Sequence, residues 1–401
     1  MTAGKNDRPR VSRDGRNPAV SHETTETAIE ECSVAASEPE TFGELHFGGA
    51  ELGDARRTKR LVRVANAIMR HPGGTLPEKM GGPAELEAMY HLMNCEEVTH
   101  ESVLAPHIAL TRKKIAEHDG FVLAIHDTTE LDFTTRESLS DRGQIGNGSH
   151  QGWLCHNTLI VDPVHREAMG LANQILHCRP VESKKETTAE KRSRLDRESR
   201  LWLQGVQSLP SDQKIVDVCD RGADTFEFLE HEVRSGRTFV VRSSYDRGTY
   251  CSDEKNATKT MLHPVARSLP SLGEWTMKVE ASKTKKTVRK TVNGKRISET
   301  VVVDRKAREA VVHVSASPVI VAAPRRHRGH HGNKPLPMWV VRVWEPNPPA
   351  GAEALEWILL TNHACTDLEA AQRVKSWYEC RWICEEFHKG QKTGCGIENP
   401  Q

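Results

Sequence analysis

With 401 residues the chain is long enough for two to three domains of roughly 100 to 200 residues each, which excludes a small stapled scaffold. Apolar residues make up 37% and charged residues 28%, and no apolar run approaches the ~18 residues a bilayer span needs, so a soluble protein with no membrane partner is expected. The net charge of +1 hides segregation: residues 1–55 sum to -6, residues 56–70 to +6 and residues 278–308 to +8, and two separated basic blocks favour a phosphate backbone as partner.

Ten cysteines without a Cys-x-x-Cys pair do not resemble an extracellular disulfide framework, and a reducing cytoplasm fits better. The N-terminus carries Arg8, Arg10 and Arg13 with no apolar stretch behind them, unlike a secretory signal. Residues 1–40 are polar, acidic and poor in aromatics, and are expected to be a disordered tail.

Residues 41–119 predict a helical module. Leu61, Val62, Val64, Ala65, Ile68 and Met69 recur at three and four residues with arginines beside them, a basic amphipathic helix ended by His71-Pro72-Gly73-Gly74. Leu86, Met89, Tyr90, Leu92 and Met93 begin a second helix, and a third runs from about Glu101 to His118. From Gly120 the period changes. Phe121–Ile125 is an apolar run stopped by His126-Asp127-Thr128-Thr129, the mark of a buried strand with polar groups at its end. Strands follow at 152–161 and 167–176, a helix over 187–206, a strand at 214–219 halted by Asp220, a helix ending at Gly236, and a strand at 238–242. This alternation predicts an α/β fold with a mixed sheet over 120–244. Residues 245–350, with short alternating runs and the loop Arg325, Arg326, His327, Arg328, His330 and His331, read as a β-rich insertion. The core resumes over 351–401 with a strand at 357–361 and one long helix from Asp367 to about Lys389.

Asp127 and Asp220 stand at the ends of two apolar strands, where open α/β sheets place ligand chemistry. Paired carboxylates repel unless cations neutralise them, and hard oxygen ligands with open positions suit Mg²⁺. Two such ions about 3.5 to 4 Å apart can activate an attacking oxygen and stabilise a leaving one in phosphodiester cleavage. A third acid is then wanted, and Glu385, on the helix after the last core strand and beside Arg381, Lys389 and Lys392, is the candidate.

Tyr378, two residues, Arg381, three residues, Glu385, six residues, Lys392 resembles the Tyr-Arg-Glu-Lys signature of the insertion-sequence-four (IS-four) family of bacterial transposases. Ile125–Thr129, Val218–Arg221, Phe239–Ser243, Glu385–Lys389 and the basic motif Gly53–Thr58 stand in the family's order, and the likeness covers roughly residues 45–398. The resemblance implies an RNase H-like sheet whose Asp127, Asp220 and Glu385 hold two Mg²⁺ ions, with Mn²⁺ able to substitute. It implies that Tyr378, Arg381 and Lys392 hold strand phosphates, that Trp357 stacks on a base flipped from the duplex end, and that Arg242, His388 and Lys389 contact DNA. Arg56, Arg57 and Arg60 fall where relatives grip the terminal inverted repeat. The implied activity is a cut-and-paste DNA transposase acting on double-stranded DNA, transposon ends and target alike, in the bacterial cytoplasm on the nucleoid. Strand cleavage would run through a hairpin before transfer of the 3′-hydroxyl.

Relatives continue into a helical C-terminal domain that pairs two subunits, and this sequence ends nine residues beyond Lys392. The homodimer of the family is therefore not expected here, and a truncated transposase that binds inverted repeats without productive transposition is the second reading. Two metal alternatives rest on residue spacing alone. Cys380, Cys384 and His388 lie four apart on one helical face and could bind zinc with Cys395; His327, His330 and His331 could also hold a metal, although packing residues and a solvated basic loop are the plainer accounts.

Overall fold

The computed structural model describes residues 39–180, 186–212, 214–250, 258–279, 281–292, 295–324, 330–350, 352 and 354–398. The expected tail lies outside these except for Pro39 and Glu40, as do Arg325, Arg326, His327 and Arg328 of the basic loop.

Five helices come first: α1 (Pro39–Phe47), α2 (Ala55–Arg70), α3 (Leu76–Met80), α4 (Pro83–Met93) and α5 (His100–Glu117). Apolar periodicity places α2, α4 and α5. Asp54 caps α2 by accepting from the Arg56 amide at 2.8 Å, Leu61 and Val64 turn inward, and Arg56, Lys59 and Arg63 stay exposed. The other two helices escape a periodicity reading. α3 is too short to show a period and is started by Glu78, whose carboxylate accepts from the Thr75 amide at 2.7 Å. α1 is pinned by a tertiary bond, the Gly43 amide donating to Asn66 Oδ1 of α2 at 2.7 Å. Helix α5 seats the module on the core: Lys114 Nζ donates to the Met169 carbonyl and the Leu171 amide to His107 Nε2, both at 3.0 Å.

The core opens with β1 (Val122–Asp132), β2 (Gly143–Gln144), β3 (Gln151–Asp162) and β4 (Glu167–His177). Then come α6 (Thr188–Ser193), α7 (Leu201–Gln207), β5 (Ile215–Cys219), α8 (Phe226–Ser235) and β6 (Thr238–Arg242). Strand β1 is longer than its apolar run. It pairs in parallel with β5 only as far as His126 but antiparallel with β3 through Asp132, so Asp127 lies within the strand, just past the end of the parallel ladder. The single helix expected over 187–206 is broken between α6 and α7. Arg194 there is extended and reaches Asp196 at 2.7 Å, while Arg197 and Arg200 both turn to Glu227 of α8.

The chain continues through β7 (Gly248–Tyr250), β8 (Thr260–Met261), α9 (Leu262–Ser268), β9 (Gly273–Val279), β10 (Ser282–Val292) and β11 (Lys295–Arg305). It closes with β12 (Arg308–Val321), β13 (Leu336–Trp344), β14 (Glu356–Thr361), α10 (Leu368–Glu379) and α11 (Trp382–Lys389). The main sheet runs β2-β3-β1-β5-β6-β14-β13-β12-β7-β8, with β4 also on β3 and β9 also on β12. The stretch 245–350, expected as an insertion, therefore prolongs the core sheet: β12 pairs β13, β13 pairs β14, and β14 pairs β6, all antiparallel. Strands β10 and β11 form a separate hairpin.

Strand alternation sorts the centre of the sheet into two faces. Leu123, Ile125, Val216, Val218 and Val240 pack under Val374, Trp377 and Cys384 of α10 and α11. Val122, Ala124 and Ile215 pack on the opposite side with Ile115 of α5. The long helix expected after Asp367 is interrupted at Cys380 and Arg381. There Arg381, Ile383 and Cys384 each donate their amide to the carbonyl three residues back, at 3.0 to 3.1 Å, a tightened turn that separates α10 from α11.

Candidate active site

In the β1–β5 register His126 lies opposite Cys219, so the next pair in step is Asp127 and Asp220. Both continue the face of Ile125 and Val218, which α10 and α11 cover. The apolar part of that face is dry and packed; where it ends, the two carboxylates project toward α11. Asp127 Oδ1 accepts from the Thr128 amide at 2.9 Å, and Asp220 accepts from the Gly222 amide at 2.9 Å. On α11, Glu385 lies one turn beyond Arg381, whose guanidinium donates from Nη1 to Asp127 Oδ2 at 3.1 Å and from Nη2 to Glu385 Oε1. Two acids far apart in sequence thus share one arginine, whose charge also acts on Asp220.

Burial pushes the Asp127 carboxyl up to about 6; Arg381 opposes this, while the Asp220 and Glu385 charges add to it. Asp220 is raised as well, chiefly by burial, against the pull of the Gly222 amide, Arg381, Arg242 and Arg221. Two carboxyls raised by burial, Asp127 also by the charges of its neighbouring acids, fit a hard divalent cation, which would offset the cost of ionising them.

His126 points to the opposite side of the sheet. Its Nε2 sits 2.9 Å from Asp217 Oδ1, which with Oδ2 also receives Arg237, at 3.2 and 2.8 Å. It does not enter the acid cluster.

The other expected DNA contacts divide by exposure. Trp357, on β14, packs edge-on against buried Tyr378, with centroids 5.3 Å apart. Both line a cavity of about 1240 Å³ together with Arg242, Arg381, Trp275 and Trp382. That cavity adjoins the acids, since Arg381 belongs to both. Arg242 is half-buried and donates to the Glu356 carbonyl at 3.3 Å. Lys389 is exposed, with Glu386 at 3.5 Å, and Lys392, in the π-type turn Gly390–Gly394, pairs with Glu398 at 3.2 Å. His388 is drawn inside: Asn157 on β3, opposite Asp127, holds its Nε2 at 3.0 Å, and burial pushes the imidazole down to about 4. In α2, Arg56 reaches into solvent beside Asp54, whereas Arg57 is tied to the Leu52 carbonyl at 2.8 Å and Arg60 to Glu85.

The alternative four-residue zinc set does not assemble among the described residues. Cys380 donates to the Ser376 carbonyl at 3.5 Å and Cys395 is exposed. His330, of the basic loop, lies 2.8 Å from the Ser193 carbonyl and His331 beside the Gly332 carbonyl. Among the described residues, the His, Cys and carboxylate ligand atoms that all fall within 4.8 Å of one another belong to Asp127, Cys384 and His388, so the three carboxylates stand further apart than that. Asn157 and Cys384 were missed as neighbours of Asp127; the signal was Asn157, a polar residue inside the apolar run of β3.

Residues 39–98, which span α1 to α4, match the family described as transposase DNA-binding. This match supports a transposase with DNA as its partner. No helix among the described residues is long and apolar enough to cross a membrane.

Proposed function

We propose that the chain is a cut-and-paste DNA transposase of the IS-four type, resembling the transposase of the kanamycin-resistance composite transposon, which cleaves transposon ends and joins the 3′-hydroxyl to target DNA. The carrying observation is that Arg381 joins Asp127 to Glu385 beside a cavity lined by Trp357 and Tyr378, with the Asp220 charge near enough to raise Asp127 further. The sheet order β4-β3-β1-β5-β6, antiparallel over its first three strands and parallel from β1 to β6, supports an RNase H-like reading of the core.

Asp127, Asp220 and Glu385 would hold Mg²⁺, with Mn²⁺ as substitute. When bound, a pair of such ions supplies an activated attacking oxygen and charge stabilisation for the leaving one. Arg381 orients two of the acids and offers phosphate a bidentate fork from the cavity side. Trp357 gives a flat face beside the acids on which a base swung out of the duplex end can stack. The exposed cations of α2 would hold the terminal repeat, positioning it by its phosphates. The reaction then runs as nicking by water, attack of the freed 3′-hydroxyl on the opposite strand to form a hairpin, hairpin opening, and transfer to target.

The test is to incubate the chain with a duplex carrying the element's own end, Mg²⁺, and Asp127→Ala as control. Nicks or hairpins that depend on Asp127 support the reading. Binding with no cut strand leaves the second one, an inverted-repeat binder without chemistry.

A further inference from the structure

We propose that Asp127, Cys384 and His388 form a site for a borderline-soft divalent cation, Zn²⁺ foremost, and that filling it withdraws Asp127 from the all-oxygen cluster and inhibits strand cleavage. The inhibitory half rests on the nuclease reading above; the binding half does not.

Cys384 and His388 are one helical turn apart on the inward face of α11, with Cys384 Sγ 3.6 Å from His388 Nε2. A tetrahedral zinc centre with Zn–S near ~2.3 Å and Zn–N near ~2.05 Å sets those two atoms about 3.6 Å apart. The helix therefore presents the pair at the spacing the ion needs. An Asp127 oxygen completes a three-ligand face, with all three ligand atoms within 4.8 Å of one another. Three protein ligands leave a fourth position for water or a phosphate oxygen.

Around the site, Asn157 Nδ2 now occupies the His388 nitrogen at 3.0 Å, and the cation would replace that hydrogen bond. Asn157 Oδ1 keeps its bond from Gln174 Nε2 at 2.7 Å, while the freed Nδ2 donor is a cost the metal bonds must offset. On binding, the Cys384 thiol gives its proton to solvent and the thiolate becomes the ligand.

Donor chemistry separates the two uses of Asp127. Thiolate and imidazole select zinc-like ions and serve Mg²⁺ poorly, whereas Asp220 and Glu385 offer oxygen alone. Asp127 belongs to both sets, with Glu385 and Cys384 adjacent in sequence on different sides of α11. One carboxylate cannot serve both centres fully, so the zinc-like ion competes with the hard one.

The experiment uses the full chain stripped by chelator and titrated with Co²⁺, whose thiolate complexes give a charge-transfer band in the near ultraviolet, and then with Zn²⁺. One equivalent of Co²⁺ should produce the band and Zn²⁺ should displace it. Cys384→Ala should abolish the band, Asp127→Asn should weaken Co²⁺ binding by roughly tenfold or more, and Cys395→Ser should change neither. Circular dichroism of each variant checks folding, and Asp127→Asn, half-buried and nearly isosteric, keeps the question open to refutation if Cys384→Ala does not fold. A band that persists in Cys384→Ala, or binding indifferent to Asp127→Asn, overturns the site. In parallel, Mg²⁺-dependent nicking is measured with and without low micromolar Zn²⁺, each protein against its own zinc-free rate. Suppression in the wild type that is lost in Cys384→Ala supports the inhibitory role, and equal suppression in both overturns it. Should no protein nick at all, the nuclease reading fails while the Co²⁺ band still decides the site.

Discussion

Arg381 Nη1 lies 3.1 Å from Asp127 Oδ2, while the other end of the same guanidinium holds Glu385 on the next turn of the helix. The arginine sits on the tight turn between α10 and α11, so the break in the helix is what aims it at β1. A planar, permanently charged fork can bridge two carboxylates from different elements; a lysine could satisfy one.

The charge of Arg381 lowers an Asp127 carboxyl that burial has raised to about 6. In Arg381→Ala that opposing charge is gone, and the carboxyl moves higher still. Cation binding requires the ionised form, so under the proposed nuclease function the Mg²⁺ concentration giving half-maximal nicking should begin to climb at a higher pH than in the wild type. The measurement is a magnesium titration of nicking between pH 5 and pH 8, and coincident curves for the two proteins would refute the coupling.

The same raised carboxyl makes a prediction about stability. A folded-state value near 6 against an unfolded value near 3.8 means that Asp127 favours folding most below about pH 3.8, and that this contribution disappears as pH rises through about 6. The corresponding penalty at neutral pH is at most about 3 kcal/mol. Asp127→Asn removes the charge and keeps the shape, so it should stabilise the metal-free protein by roughly 1–3 kcal/mol at pH 7.5 and by close to nothing at pH 4. Urea unfolding at the two pH values checks this; equal effects at both would show that the gain comes from packing.

Sequence patterns made the strand ends and the acids legible because each is a local feature: an apolar run gives way to a polar residue, and a carboxylate recurs at a fixed distance from an arginine. What they could not carry was pairing. β1 runs on past its apolar segment because β3 offers ten residues of antiparallel partner from Leu123 to Asp132, and the β-rich stretch joins the core because β14 pairs β6 on one side and β13 on the other. The resemblance sets His388 against DNA beside Lys389, but Asn157, more than two hundred positions earlier, holds it inside. Helix breaks were hidden for a similar reason: Arg197 is extended, and it and Arg200 both reach Glu227, which no period in 187–206 registers.

Beneath the opposite face of the sheet, Arg237 is buried with Asp217 at 2.8 Å and donates to the Pro210 carbonyl at 2.7 Å. Glu232 is fully buried nearby, with its acid pushed up chiefly by burial, then by Asp217, and drawn down by Arg237. Arg237→Met would leave two acids facing each other without their cation. The expected loss is roughly 3–5 kcal/mol, typical of breaking a buried pair by removing one partner. Thermal and urea unfolding measure it, and a variant as stable as the wild type would refute the role given to Arg237.

Arg56 offers the clearest test of whether α2 meets DNA. Its side chain is 91% exposed at the start of α2, and its partner Asp54 is on the surface, so the ion pair is easily exchanged for a phosphate. Arg60, by contrast, is 26% exposed and pinned to Glu85 of α4, where it braces the module. Arg56→Ala should therefore weaken binding to the element's end by roughly three- to tenfold and reduce the slope of log affinity against log salt by about 0.9, one phosphate contact's worth of released counterions. Arg60→Ala should change the slope less and lower the unfolding temperature of the helical module instead. Fluorescence anisotropy on a labelled duplex across a salt series separates the two, and an unchanged slope in Arg56→Ala would remove that residue from the phosphate interface.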